Sequence, residues 1–215
     1  MRTKTLLIAF AACLFASSIF AQTTSFGLRG GVNFQNINGK DILDNKLKNK
    51  ATPGFNIGVN AEIPVGIDFY VQPGILFTTK GAKLEDSDDK IALSYIEVPI
   101  NFIYKPAIGT GRLIMGFGPY VAFAVDGKYK PEDGDDVDIK FKSKVTTDEY
   151  LADPYLKRID AGGNLLFGYE FANKLSLQLN AQLGLININP KIEGVDDDPS
   201  SSKNTGFGVS LGYRF

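Results

Sequence analysis

Apolar and polar residues alternate one by one along most of the chain beyond residue 25. A period of two marks a strand whose two faces meet different surroundings. The clearest run closes the sequence, where Phe207, Val209, Leu211, Tyr213 and Phe215 alternate with Gly206, Gly208, Ser210, Gly212 and Arg214. Residues 175–185 behave alike, with Leu175, Leu177, Leu179, Ala181 and Leu183 on one face and Ser176, Gln178, Asn180 and Gln182 on the other. The same reading predicts strands over 26–34, 55–63, 69–78, 94–105, 113–126 and 159–171. Most of the eight have about ten residues, the length that crosses a bilayer at a steep tilt. Beyond residue 21 no stretch has the 18 or more consecutive apolar residues of a membrane helix, and no segment sustains a period of 3.6.

The polar faces separate two solvents. A soluble sandwich would carry Lys, Glu and Thr on its wet side. Here that face is rich in Gly, Asn and Gln with isolated charges. Small polar groups suit a crowded, closed lumen, and Leu, Val and Phe suit lipid tails, so the pattern predicts a barrel with its greasy side outward. The links support this. Long ones at 35–52, 80–91, 127–157 and 189–203 alternate with short ones at 64–67, 106–111 and 172–174. Membrane barrels have short periplasmic turns and long outer loops, which places both termini on the periplasmic side. An even strand number lets the first and last strands pair and removes both edges. The expected fold is therefore an all-β, eight-stranded antiparallel up-and-down transmembrane β-barrel in a Gram-negative outer membrane. Pro73, Pro99 and Pro119 fall inside strands and are read as bulges or local bends. The 127–157 link is long, charged and poor in large apolar residues, so it is expected to be partly mobile.

The first 21 residues read as an address. Arg2 and Lys4 precede an apolar run from 6 to 20, and Ala21 precedes the polar Gln22. This is the layout of a cleavable signal peptide, with cleavage expected after Ala21 and the barrel domain over 22–215. Cys13 lies within the apolar run and reads as a small apolar residue there, not as a lipidation site.

Composition narrows the chemistry. The chain has no histidine and one cysteine, which excludes imidazole-dependent triads and zinc sites and any intramolecular disulfide. Its 23 basic and 24 acidic residues offer no case for nucleic acid. The acidic stretches 85–89, 132–138 and 196–198 lie in predicted outer loops. None has the spacing of an EF-hand, and no metal or cofactor is assigned.

Four segments resemble the PorT-like outer-membrane β-barrel proteins of Bacteroidetes. Tyr95-Ile96-Glu97-Val98-Pro99-Ile100 looks like their Y-[IL]-E-[IV]-P-[IL] segment, and Gly116-Phe117-Gly118-Pro119-Tyr120 like the G-x-G-P-Y strand that follows it. The segment from Gly27 to Phe34 resembles their opening strand, and that from Gly208 to Phe215 their closing strand with its terminal aromatic. The resemblance implies an outer-membrane location and an eight-stranded barrel. It transfers no activity, although the namesake branch serves a secretion system.

The candidate site is the lumen. Arg29, Glu62, Glu97, Asn101, Lys105, Asp160, Glu170 and Arg214 fall on the inward phase, as does Asp126, and are expected to form a structural polar network. Arg29 and Arg214, on the adjoining first and last strands, are expected to share a cluster with Glu97. Eight strands leave an interior that side chains fill, which disfavours a diffusion channel. Phe34, Phe55, Phe69, Tyr104, Phe171, Tyr213 and Phe215 are candidates for interfacial aromatic girdles.

The leading expectation is a structural or partner-binding role through acidic outer loops, without catalysis. The expected partners are outer-membrane lipid, the barrel-assembly machinery during biogenesis, and an envelope or secretion-system protein. An accessory role in secretion or transport is the alternative. A membrane-embedded hydrolase would need an Asp, Glu or Ser–Lys mechanism, and a soluble lipocalin-like carrier would need the alternation reversed.

Overall fold

The computed structural model describes residues 23–41, 44–85, 87–195 and 199–215. The expected signal peptide, its cleavage point and Cys13 lie outside the described residues. Eight long strands dominate: β1 (Ser25–Lys40), β2 (Thr52–Gly66), β3 (Phe69–Leu84), β4 (Lys90–Tyr104), β5 (Gly111–Lys130), β6 (Ile159–Glu170), β7 (Leu175–Gly184) and β8 (Ser201–Arg214). Each pairs antiparallel with its neighbours in sequence. The β1–β8 ladder, from Gly27↔Arg214 to Lys40↔Ser201, closes the cylinder.

The apolar phase faces outward. Leu177, Leu179, Val209 and Leu211 are 45%, 52%, 39% and 65% exposed, whereas Gln178 and Ser210 between them are buried. On β2 the outward series Phe55, Ile57, Val59, Ile63 and Val65 covers about 33 Å of strand, or about 25 Å of height at a tilt of about 40°, the apolar band of a membrane barrel. Aromatic rings cluster on this face. Phe69 stacks on Tyr104 at 4.7 Å, and Tyr213 meets Phe215 edge-on at 5.4 Å, both at the short-turn end. Phe34 stacks on Phe207 and Phe55 leans on Phe77 toward the other end.

Inward glycines make the tight curvature possible. A Cβ on Gly118 would lie 2.0 Å from the Ile100 carbonyl oxygen, and one on Gly58 would lie 2.2 Å from that of Ile75. Where the wall turns this sharply, the neighbouring backbone occupies the side-chain position.

Three expectations change. The prolines do not mark bulges. Pro73 pairs with Ile100 and Pro99 with Tyr120, and the register on either side of each is continuous. The register shifts lie elsewhere, at Pro64/Gly66 against β3 and at Ser94/Tyr95 against β5. At the second, Tyr95 pairs with Ala124 and Ser94 with Asp126, so Val125 is the extra residue. The phase flips there, and Asp126 points outward and is exposed instead of facing the lumen.

The link read at 80–91 is mostly strand. Lys80↔Leu93 to Lys83↔Lys90 continue the ladder above the band, and only residues 85–89 connect β3 to β4. Strict alternation of long and short links therefore fails at this hairpin.

The 127–157 link is regular. Tyr129 pairs with Val137, Lys140–Phe141 with Tyr155–Leu156 in parallel, and Lys144–Val145 with Lys191–Ile192 in parallel. Helix α1 (Thr147–Ala152) is held by a capping box in which the Thr146 hydroxyl accepts from the Glu149 N–H and the Glu149 carboxylate accepts from the Thr146 N–H. The link is anchored because Ile139, Val145 and Tyr155 are buried, which its charged composition conceals.

Candidate functional site

The interior is built in layers. At the short-turn end, Lys105 lies 2.9 Å from Glu62 and 2.7 Å from Glu170. Arg214 donates to the other Glu62 oxygen at 2.7 Å and to Asn60 at 2.7 Å, and the Gln72 amide also donates to Glu62. Two cations meet two carboxylates, so this layer is neutral, as a buried charged group requires. Just below, Arg112 pairs with Asp68 at 2.6 Å and donates to the Tyr70 hydroxyl at 2.7 Å. Above the Lys105 layer, Ile103, Ile114 and Leu166 form a small apolar layer.

The next charged layer is organised by Lys80, which the sequence pattern places in a link. Its ammonium is fully buried, 2.9 Å from Glu97 and 3.1 Å from Asp160, and lies 4.2 Å from the centre of the Tyr120 ring. The Tyr120 hydroxyl and the Asn204 amide donate to Asp160, and the Gln182 amide donates to Glu97 at 2.6 Å. A signal for Lys80 existed. Gln72, Gly74 and Thr78 hold the inward phase of β3, and two residues beyond Thr78 is Lys80.

Arg29, Glu97, Asn101, Asn33, Asn56 and Gln182 line the middle of the barrel around a cavity of about 20 Å³, room for about one water. Glu97 provides the favourable charge near Arg29. Arg214 belongs instead to the Glu62 layer, so the cluster expected to join both arginines to Glu97 is divided in two. The two residues enter at different heights: Arg214 pairs with Gly27 near the turn end, while Arg29 lies one inward step higher.

Toward the loop end the lumen becomes apolar. Ile37, Ala82, Leu93, Tyr95, Tyr120, Ala122 and Ala124 from the wall pack with Ile139 and Ile188 from the loops. Gly127, brought inward by the Val125 bulge, lies against Phe141, Leu93 and Ile139. This cluster packs wall and loop residues together at the mouth. Above it a groove of about 570 Å³ runs between Ile91 and Tyr129 of the wall and Val137, Tyr150, Leu151 and Pro190 of the loops. Helix α1 buries none of its residues, and Leu151 is 79% exposed.

The long loops carry paired charge. Lys142 contacts Glu149 at 2.6 Å, and Lys140 contacts Asp153. The Lys142 ammonium and the Thr146 N–H hold the Glu149 carboxyl below its usual range, and Glu149 in turn pushes Lys142 up. Among the described acidic residues, Asp88 pairs with Lys83, Asp136 pairs with Lys130 at 3.0 Å, and Asp89 accepts from the Tyr129 hydroxyl.

The chain is similar in fold to several solved structures. Ail, the attachment invasion locus protein of Yersinia pestis, has 14% identity and a TM-score of 0.45. Neisserial surface protein A has 11% identity and a TM-score of 0.47. A major outer membrane protein from Thermus thermophilus has 13% identity and a TM-score of 0.48. Each alignment covers 90% of this chain and 100% of the other. A search of curated proteins found no match. The profile of a family described as "Outer membrane protein beta-barrel domain" matches residues 20–189, most of the chain. With the closed eight-stranded cylinder and its outward apolar band, that match identifies the chain as a member of the outer membrane protein beta-barrel domain family, a small β-barrel of the outer membrane.

Proposed function

We propose that the protein is a sealed, non-catalytic barrel that displays its outer loops for binding a partner, with both termini on the periplasmic side. One observation carries this reading. Charged layers and an apolar plug occupy the interior around a central cavity of about 20 Å³, while the loop end exposes an unpacked helix beside a groove of about 570 Å³. A solute path needs the reverse arrangement. Tyr150, Leu151 and Val137 lie beyond the apolar band, where water makes exposed apolar residues costly unless something covers them. The absence of histidine and the engagement of the lumen's carboxylates by ammonium and guanidinium groups support a role without catalysis.

The PorT-like segments supply Tyr95, Glu97 and Tyr120, which surround Lys80. They therefore serve the frame of the barrel. A role in secretion would act through docking at the loops, since the lumen offers no passage.

The test uses intact envelopes and planar bilayers. A photocrosslinking residue at Leu151 should give a discrete protein adduct, while one at the lipid-facing Leu177 should not, and the purified barrel should show no stepwise conductance. Open-channel steps, or equal labelling from both positions, would overturn the proposal. Protease cleavage of the 131–158 loop on intact cells tests the orientation.

A further inference from the structure

The outer rim of β3, β4 and β5 presents a second surface. Outward residues form rows across these strands. Phe77, Ile96 and Phe123 make the last apolar row; Thr79, Ser94 and Asp126 follow, then Gly81, Ala92 and Lys128. The next row is Lys50, Lys83, Lys90 and Lys130, four lysines directly opposed on neighbouring strands. Directly opposed like charges destabilise a sheet. Edge protection does not explain them, because β3, β4 and β5 each have partners on both sides.

The carboxylates nearby answer only part of this charge. Asp88 pairs with Lys83 and Asp136 with Lys130. Asp138 lies opposite Lys128 in the ladder, and Asp126 lies one row below. Asp88 also attracts Lys50 and Lys90 across a longer gap, but among the described residues no carboxylate is in direct contact with Lys50, Lys90 or Lys128. The small side chains between the apolar row and the lysines leave a cleft of about 400 Å³ lined by Thr79, Ala92 and Ser94, by Lys90, Lys128 and Lys130, and at its lower end by Asp126. Lys90 lies opposite Lys130, and Lys128 lies opposite Ala92, so three lysines border the cleft, of which Lys130 is paired with Asp136.

We propose that this cleft binds the phosphate of an anionic lipid headgroup in the outer leaflet. Lys128 and Lys90 stand about 10 and 15 Å above the last apolar row, and a lysine stem can reach down toward the headgroups while its ammonium stays polar. Asp126, nearer the hydrocarbon, repels an anion placed lower and sets the phosphate at the lysine rows. The inference rests on the loop end facing outward.

The test is native mass spectrometry of the full barrel in detergent micelles, with diphosphorylated lipid A as probe and zwitterionic phosphatidylethanolamine as reference. The wild type should hold the phosphorylated lipid preferentially. Lys90→Gln/Lys128→Gln/Lys130→Gln should weaken that binding by about a hundredfold, the summed effect of three lysines at a lipid surface. The three corresponding Lys→Arg changes should preserve it, and Lys140→Gln/Lys142→Gln on the loop should leave it unchanged. Heat-dependent gel mobility verifies folding, and single Lys90→Gln reads a smaller loss if the triple variant does not fold. Equal binding by a folded triple variant, equal binding of the zwitterionic lipid, or displacement by millimolar inorganic phosphate would overturn the proposal. Binding in micelles does not depend on orientation, so its failure would leave the outward placement of the loops standing.

Discussion

Lys80 offers the sharpest test of how the lumen is held together. Its ammonium lies 2.9 Å from Glu97 and 3.1 Å from Asp160, with none of the three side chains more than 2% exposed. Each pair contributes about 5 kcal/mol of attraction at an effective dielectric of about 20. Several kcal/mol of desolvation per ion offset most of that, so the intact cluster adds little net stability. Removing its centre is different, because Lys80→Met leaves two carboxylates in a closed interior with one fewer cation. Methionine is long and apolar enough to occupy much of the site, so the charge, and not a void, dominates the change. The expected loss is about 3–5 kcal/mol, a large part of the stability of a typical protein of about 5–15 kcal/mol. Lys80→Met/Glu97→Gln/Asp160→Asn removes the stranded charges and should recover most of the loss. Urea unfolding in lipid vesicles, read by far-UV circular dichroism and gel mobility, measures both variants; the chain has no tryptophan to report instead. A Lys80→Met variant within about 1 kcal/mol of wild type, an ordinary surface-like effect, would refute this account of the lumen.

Three further outcomes follow from particular contacts. Gly118→Ala should cost roughly 1–3 kcal/mol in the same unfolding assay, because its Cβ would lie 2.0 Å from the Ile100 oxygen; no loss would mean that the wall yields there. Deleting Val125 should leave a folded, heat-modifiable barrel, since it removes a bulge and keeps Ala124 inward and Asp126 outward, whereas deleting Phe117 reverses the phase of its flanking strand and should abolish folding. Below the ordinary glutamate range near ~4.3, protonation should loosen helix α1. The Glu149 carboxyl is depressed by Lys142 and the Thr146 N–H, so its contribution is present above the unfolded value and lost as pH falls through the folded one. Faster amide exchange in residues 147–152 at low pH, absent at neutral pH, is the expected reading.

Much of the barrel was legible because lipid and lumen impose opposite chemistry on successive residues. Leu177, Leu179, Val209 and Leu211 take the outward phase and Gln178 and Ser210 the inward one, the reverse of a soluble barrel. Strand ends were less legible, since the alternation weakens where the wall leaves the membrane. Lys80 lies in that region, and a lysine beside a charged stretch reads as a loop residue unless the inward phase of Gln72, Gly74 and Thr78 is carried forward. The division between Arg29 and Arg214 was illegible for another reason. Adjacent strands say nothing about height until the register is known, and Arg214 pairs with Gly27, beside Glu62 and Asn60. The hairpin bulge at Val125 leaves no local mark at all, because Val125 and Asp126 continue the alternation on paper while sharing one face in space.

That bulge lies where the chain changes solvent. Below it, Val121 and Phe123 face lipid, and Tyr120 and Ala122 turn inward. Had the phase continued, Asp126, Lys128 and Lys130 would have entered the mouth, and Tyr129 would have faced outward. With one extra residue, the charges meet water outside and Gly127 joins Leu93, Ile139 and Phe141 inside. Above the membrane, water surrounds the wall, and burial of apolar groups at the centre becomes favourable again. The same eight strands are thus inside out through the bilayer and conventionally packed at the mouth. This is why the loops can pack onto the barrel: Ile139, Ile188, Val145 and Tyr155 are buried where an apolar side chain gains by leaving water. A mouth packed in this way is why the proposed binding roles are placed on the loop face and on the lysine-lined rim.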